Sequence, residues 1–286
     1  MKKNNWTAEE ITDVKDKIAV VTGGNSGLGK ETARVLAQKR VVVILAVRSI
    51  DRGAKAASDI RKEFPNSSVE VMKLDLSSLA SVKSFAKEFS GKYKHLDYLI
   101  NNAGVMVPPY SKTEDGFELQ FGTNHLAHFA LTGLLLPLLE SAKNSRIVTV
   151  SSVAHLTGDV NFDDLAWEQR KYDAPRAYAD SKIANLYFTY ELARKLNKSS
   201  IKVLAAHPGW TSTNLQKNWR LFRLLNPFFA QKPEMGALPT LRAATDPDAQ
   251  SGDYFGPSGW QEVRGYPKKV ASNKRSNDKE IAEKLW

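Results

Sequence analysis

The chain has 286 residues, 42% of them apolar, which is enough to build the core of one large α/β unit. It contains no cysteine, so disulfides, thiolate metal sites and cysteine nucleophiles are excluded. Net charge is +10; nucleic acid or an anionic membrane is one reading of that excess, but the basic residues are scattered, and only the stretch with Arg264, Lys268, Lys269, Lys274 and Arg275 is locally dense.

A solvated basic surface that also draws in an anionic cofactor accounts for this pattern, with no nucleic-acid partner. The opening Met1-Lys2-Lys3-Asn4-Asn5-Trp6 lacks the apolar run of a signal peptide. No stretch approaches the ~20 apolar residues of a membrane span. A cytoplasmic protein is therefore expected.

Taken in order, short apolar runs alternate with helix-length segments. The run 18–22 predicts a buried strand, and the glycine-rich Thr22-Gly23-Gly24-Asn25-Ser26-Gly27-Leu28-Gly29 leads from it into a helix over 27–39. A strand over 41–46 precedes Val47-Arg48 and a helix over 52–64. A strand over 69–74 precedes Asp75-Leu76 and a helix over 79–93, with Ser77 or Ser78 as its N-cap. Strands over 96–100, 147–151 and 201–206 and helices over 114–142 and 176–196 continue the rhythm. Such alternation predicts a doubly wound Rossmann fold: a parallel sheet of about seven strands with helices on both faces. One domain over 1–286 is the economical count. Two segments interrupt it, 158–175 and 210–232; the second carries Leu221-Phe222, Leu224-Leu225 and Phe228-Phe229. Loops beyond the carboxyl ends of parallel strands are where such sheets bind ligands. These segments fit an active-site lid, a dimer contact or ordinary packing.

The loop from Thr22 to Gly29 has the context that phosphate cradling requires. Its glycines permit a tight turn and close approach to a pyrophosphate, at a helix N-terminus with free N–H groups. At the end of the second strand many NAD enzymes place an acid for the adenosine ribose diol. Here Arg48 stands at that edge, and no acid comes before Asp51. An arginine can pair bidentately with a 2′-phosphate, which favours NADP(H), with NAD(H) as the alternative. Tyr178 and Lys182 stand four residues apart, so on a helix they share one face. A free tyrosine titrates near ~10 and needs a shift of roughly 3 units, about 4 kcal/mol, to act near neutrality. An ammonium about 4 Å away supplies on the order of 4 kcal/mol. This pattern predicts an enzyme that moves a hydride and a proton.

These residues resemble the short-chain dehydrogenases/reductases along nearly the whole chain. The matching motifs are Thr22–Gly29; Asp75; Asn101-Asn102-Ala103-Gly104; Asn124; Ser151-Ser152; Tyr178-x-x-x-Lys182; and His207-Pro208-Gly209 with Thr213 beyond. Arg48, the long interval between Ser152 and Tyr178, and the ending Ala282-Glu283-Lys284-Leu285-Trp286 look most like the branch containing retinol dehydrogenases, the WW-domain oxidoreductase and protochlorophyllide reductases. Arg40 departs from the pattern, standing where the family commonly has glycine, so that turn is expected to differ. The lack of cysteine speaks against a light-driven protochlorophyllide reductase, and no membrane anchor is seen.

By the resemblance, Tyr178 exchanges the proton with the substrate oxygen and Lys182 lowers its pKa and binds the nicotinamide ribose. Ser152 hydrogen-bonds the reacting oxygen, and Asn124 holds a water linking Lys182 to solvent. The cofactor would lie along Gly23, Asn25, Ser26, Gly27, Leu28, Gly29, Arg48, Asp75, Leu76, Asn102, Ala103, Gly104, Pro208, Gly209 and Thr213. Asn102 has a second reading, as a bridge between neighbouring strands. His125, His128, His155 and His207 read as packing or loop residues, and Asp163-Asp164 as a solvated pair; no metal site is expected. The resemblance also implies a homo-oligomer, dimer or tetramer, formed through the 114–142 and 176–196 helices, whose Ile183, Leu186 and Tyr190 fit an interface or the core. The resulting expectation is a carbonyl reductase or alcohol dehydrogenase for a lipophilic or aromatic substrate. An NAD-linked dehydrogenase, a C=C reductase and a non-catalytic nucleotide-binding protein are the alternatives.

Overall fold

The computed structural model describes residues 5–211 and 230–286. Eight strands form one sheet: β1 Ile18–Thr22, β2 Val42–Val47, β3 Val69–Lys73, β4 Tyr98–Asn101, β5 Arg146–Val150, β6 Lys202–Ala206, β7 Tyr254–Pro257 and β8 Pro267–Lys269. Their order is β3-β2-β1-β4-β5-β6-β7-β8. All neighbours pair in parallel except β7 and β8, which are antiparallel. The chain reverses its direction of travel across the sheet between β1 and β4, so a crevice opens beyond their carboxyl ends.

Alternation along β1 shows how the sheet divides two cores. Ala19 and Val21 point into one cluster with Leu36, Ile60 and Leu241. Ile18 and Val20 point into the other with Phe85, Phe89, Leu131 and Leu135. The first layer is built by α1 Gly27–Gln38, α2 Ile50–Glu63 and α6 Pro233–Thr245. The second contains α3 Leu79–Lys92 and α5 Ala174–Lys195. It also contains α4, made of Leu119–Phe121, a π turn over Gly122–Leu126, and Ala127–Glu140. A short α7, Lys279–Leu285, packs on α5.

Capping side chains set several helix starts. Ser49 accepts from Arg52 N, Ser78 from Ser81 N and Asp173 from Arg176 N. The long helix begins at Leu119, not 114, because the buried Glu118 carboxylate caps it by accepting from Gln120 N and Phe121 N. Arg40 takes φ 64°, the left-handed conformation that glycine adopts without a Cβ penalty. The turn into β2 is thus made in a conformation that carries a Cβ penalty for the arginine.

Ile183 and Leu186 are fully buried within this one chain and belong to its core, while Tyr190 is half-buried and hydrogen-bonds Ser272. The 158–175 segment packs against α5 and Tyr110. Gly158 abuts Ala179 O on α5, and Tyr172 meets Trp167 and Tyr110 edge-on. Asp164 is buried and accepts from Glu168 N and Gln169 N, which corrects its reading as a solvated residue. Among the described residues no helix is long and apolar enough to cross a membrane.

Candidate active site

Beyond the carboxyl ends of β1, β4 and β5 lies a cleft of about 490 Å³. At its floor the turn after β1 has φ 67° at Gly23 and φ 53° at Gly27. Gly29 is required by close approach: a methyl there would lie 2.5 Å from both Asn102 Nδ2 and Gly23 O. The α1 N-terminus opens onto this turn without a side-chain cap, leaving its first N–H groups facing the cleft. Gly23, Asn25, Ser26, Gly27, Leu28 and Gly29 all line it.

Thr22 ties this turn to the next strand. Its hydroxyl accepts from Asn102 N and Ala103 N, both at 2.9 Å. Asn102 Nδ2 donates to Thr22 O at 2.8 Å, so Asn102 bridges β1 and β4 while also lining the cleft. His128 completes the junction. Its Nδ1 lies 3.1 Å from Asn124 O, which can only accept, leaving Nε2 to accept from the Thr22 hydroxyl at 3.0 Å. Burial pushes His128 down to about 4, so the ring is neutral, and His125 likewise.

Arg48 and Arg52 line one end with Ser49, Asp75 and Leu76. Both arginines are exposed, and the Asp75 carboxylate accepts from Ser77 N and Oγ. Arg52 sits one turn beyond Arg48, in the first turn of α2.

The other end gathers Ser152, Tyr178 and Lys182 with Gly104, Pro208 and Gly209. Tyr178 and Lys182 are buried on one face of α5. Lys182 Nζ donates to Val150 O at 3.1 Å and lies 5.5 Å from the Tyr178 ring centroid. Burial pushes the Lys182 ammonium down to about 8. It pushes the Tyr178 phenol up to about 12, against a lowering hydrogen bond with Ser152. The expected fall of the phenol toward neutrality is therefore not produced by the charges of this chain: removal from water outweighs them.

Asn124 lies one layer behind the cleft, in the π turn of α4. Its Oδ1 accepts from Val105 N at 2.7 Å, and Nδ2 donates to Val105 O and Ser181 Oγ. A methyl on Gly104 would lie 3.0 Å from Asn124 Oδ1 and 3.7 Å from Lys182 Nζ. Gly104 thus separates the two groups. Thr213 and most of the 210–232 segment fall outside the described residues.

A family model described as short chain dehydrogenase matches residues 17–223. The chain belongs to this family. As a short-chain dehydrogenase it is an oxidoreductase, and its relatives point to the retinol dehydrogenase branch. Retinol dehydrogenase 12 of Mus musculus is 43% identical over 279 residues, covering 96% of this chain and 85% of that protein. The crystal structure of an uncharacterised protein from Mycobacterium paratuberculosis is similar at 42% identity and a TM-score of 0.84, covering 99% of this chain and 95% of that one. A short chain dehydrogenase from Escherichia coli CFT073, solved with NADPH, is 25% identical with a TM-score of 0.68, covering 84% and 96%.

The cleft also holds residues that sequence reasoning missed, among them Arg52, Val105, Met106, Val153 and Trp210. Arg52 was within reach of such reasoning, since it is the next cation on the helix that follows Arg48. The apolar ones sit in irregular loops whose sequence carries no periodic signal.

Proposed function

We propose that this short-chain dehydrogenase interconverts a carbonyl and an alcohol on a lipophilic substrate with NADP(H). One observation carries the reading: a glycine cradle and paired arginines occupy one part of a cleft whose far end holds Ser152, Tyr178 and Lys182 together. The cradle fits a pyrophosphate because the space a Cβ would fill at Gly29 is closed by Asn102 and Gly23, leaving backbone N–H groups as the lining. Arg48 and Arg52 would hold a 2′-phosphate, and relatives of this fold are solved with NADP and NADPH. When bound, the cofactor supplies the hydride or accepts it.

The remaining chemistry belongs to the chain. At neutral pH the Tyr178 phenol, pushed up to about 12, keeps its proton and can pass it to a carbonyl oxygen as that carbon is reduced. Ser152 donates a hydrogen bond to the same oxygen and so stabilises the developing alkoxide. Lys182 is mainly protonated below about pH 8 and stabilises the phenolate left behind. Oxidation runs the proton transfer backwards and needs that phenolate at the start. Asn124 fixes Val105, and hence the loop that walls the reacting end.

Val105, Met106 and Val153 give that end an apolar wall. Relatives named retinol dehydrogenases make a retinoid-like aldehyde or alcohol the first substrate to try. The test follows NADPH absorbance with retinal and a panel of other aldehydes, ketones and quinones, with NADH in parallel. Tyr178→Phe should lower kcat at least about 100-fold while cofactor affinity stays nearly intact. A variant that keeps wild-type turnover would refute the assignment of Tyr178.

A further inference from the structure

We propose that Glu262 is a positioning residue for the reacting end of the cleft, acting through His207; the inference rests on the cofactor reading above. His207 is fully buried where β6 ends, immediately before Pro208 and Gly209, which line the cleft. Gly209 N donates to His207 Nδ1 at 3.3 Å, so the ring hydrogen is on Nε2. That nitrogen donates to Glu262 Oε2 at 2.8 Å. The ring is confined on its other sides. It packs on Tyr254, with centroids 5.2 Å apart, and Gly256 leaves room for it where any Cβ would overlap Nε2. The imidazole therefore joins a cofactor-loop amide to a carboxylate and has no space to turn.

Glu262 reaches His207 from an unusual segment. Gln261 takes φ 46° and Glu262 φ 57°, two successive non-glycine residues in the left-handed region. Such conformations persist only where surrounding contacts over-determine them, and they cluster at functional sites. Trp260, just before, is 76% exposed and does not anchor this stretch. Polar contacts tie it to the cofactor loop. Val263 O accepts from Trp210 N at 2.7 Å, and Gly265 N donates to Gln231 Oε1, whose Nε2 donates to Pro208 O at 2.7 Å. Gly209 has φ 64°, and a methyl on it would collide with Val263 O. The 259–265 segment is thus a strap laid across Pro208 and Gly209. Its acidic member, Glu262, fixes the tautomer and the orientation of His207, and through them the direction of the Gly209 amide.

The test is titration of NADPH, followed by cofactor fluorescence, alongside kcat and KM and the thermal midpoint of each protein without cofactor. Glu262→Ala should raise the Kd for NADPH about tenfold and raise KM more than it lowers kcat. Glu262→Gln keeps a carbonyl that accepts from Nε2–H and should stay within about twofold of wild type. His207→Ala should match Glu262→Ala, and the double variant should be no worse than either, because both break one linkage. A wild-type Kd in Glu262→Ala, even with a lowered thermal midpoint, would overturn the proposal; so would equal losses in Gln and Ala, or additive losses in the double variant. Should His207→Ala fail to fold, the Ala and Gln pair at position 262 decides alone. If the wild-type protein binds neither NADPH nor NADH, the cofactor reading itself fails and takes this inference with it.

Discussion

Replacing Lys182 with methionine measures the charge that the fold holds away from water. Lys182 is 4% exposed, and its Nζ donates to a single carbonyl, Val150 O. Burial pushes its pKa down from 10.5 to about 8. A lysine depressed in the folded state destabilises the protein while it is charged, and that penalty is fully present below about pH 8. Above it the folded protein sheds the proton while the unfolded chain retains it, so stability rises with pH until about 10.5. Each pH unit in this window corresponds to about 1.4 kcal/mol. From about pH 8 to about pH 10, wild type should therefore gain roughly 2 kcal/mol relative to Lys182→Met, since the slope is only half-developed at the folded pKa, and the difference should be flat below about pH 7. Tyr178, up at about 12 in the folded state and near 10 when unfolded, is present in both proteins and cancels in the difference. Urea unfolding of both proteins at intervals across this range gives the difference directly. A pH-independent difference would refute the argument and show that Lys182 keeps its charge at no cost.

Gly29→Ala places a methyl 2.5 Å from Asn102 Nδ2 and Gly23 O, and overpacking of this kind costs about 1–3 kcal/mol; NADPH titration should show at least about a tenfold loss of affinity. Arg48→Ala should raise KM for NADPH about tenfold with little change for NADH, and adding Arg52→Ala should remove most of the remaining preference, as steady-state kinetics with both cofactors will show. Asn102→Ala leaves Thr22 O without its side-chain donor and should lower stability by about 1–3 kcal/mol in denaturant titrations.

The sheet was largely legible because its strands are buried on both faces and read as unbroken aliphatic runs. The predicted 18–22 matches β1, and 41–46, 69–74 and 201–206 fall within a residue of β2, β3 and β6 at each end. Beyond residue 206 the signal fails. Pro239 lies inside α6, where proline normally ends a helix, and β7 and β8 are short strands with Pro257 and Pro267 at their ends. The π turn of α4 was also hidden, because hydrophobic periodicity does not register one extra residue in a turn. Its trace is Ala127 N donating to Gly122 O. The cleft's lining carries a sequence signal where it is glycine or charge and none where it is apolar loop. The burial that raises the phenol's pKa could not be read from the spacing of Tyr178 and Lys182, which shows the neighbouring charge and not the loss of water around it.

The end of β5 is stitched to α5 at one level. Ser151 Oγ donates to Lys182 O, while Lys182 Nζ and Asn185 Nδ2 both donate to Val150 O. Strand and helix therefore travel as one jaw, with the Tyr178 phenol and the Lys182 ammonium fixed to the same piece. The opposing wall, Val105 and Met106, hangs from a different strand and is secured separately by Asn124. An engineer could recut that wall and leave the Tyr178 phenol and the Lys182 ammonium in register.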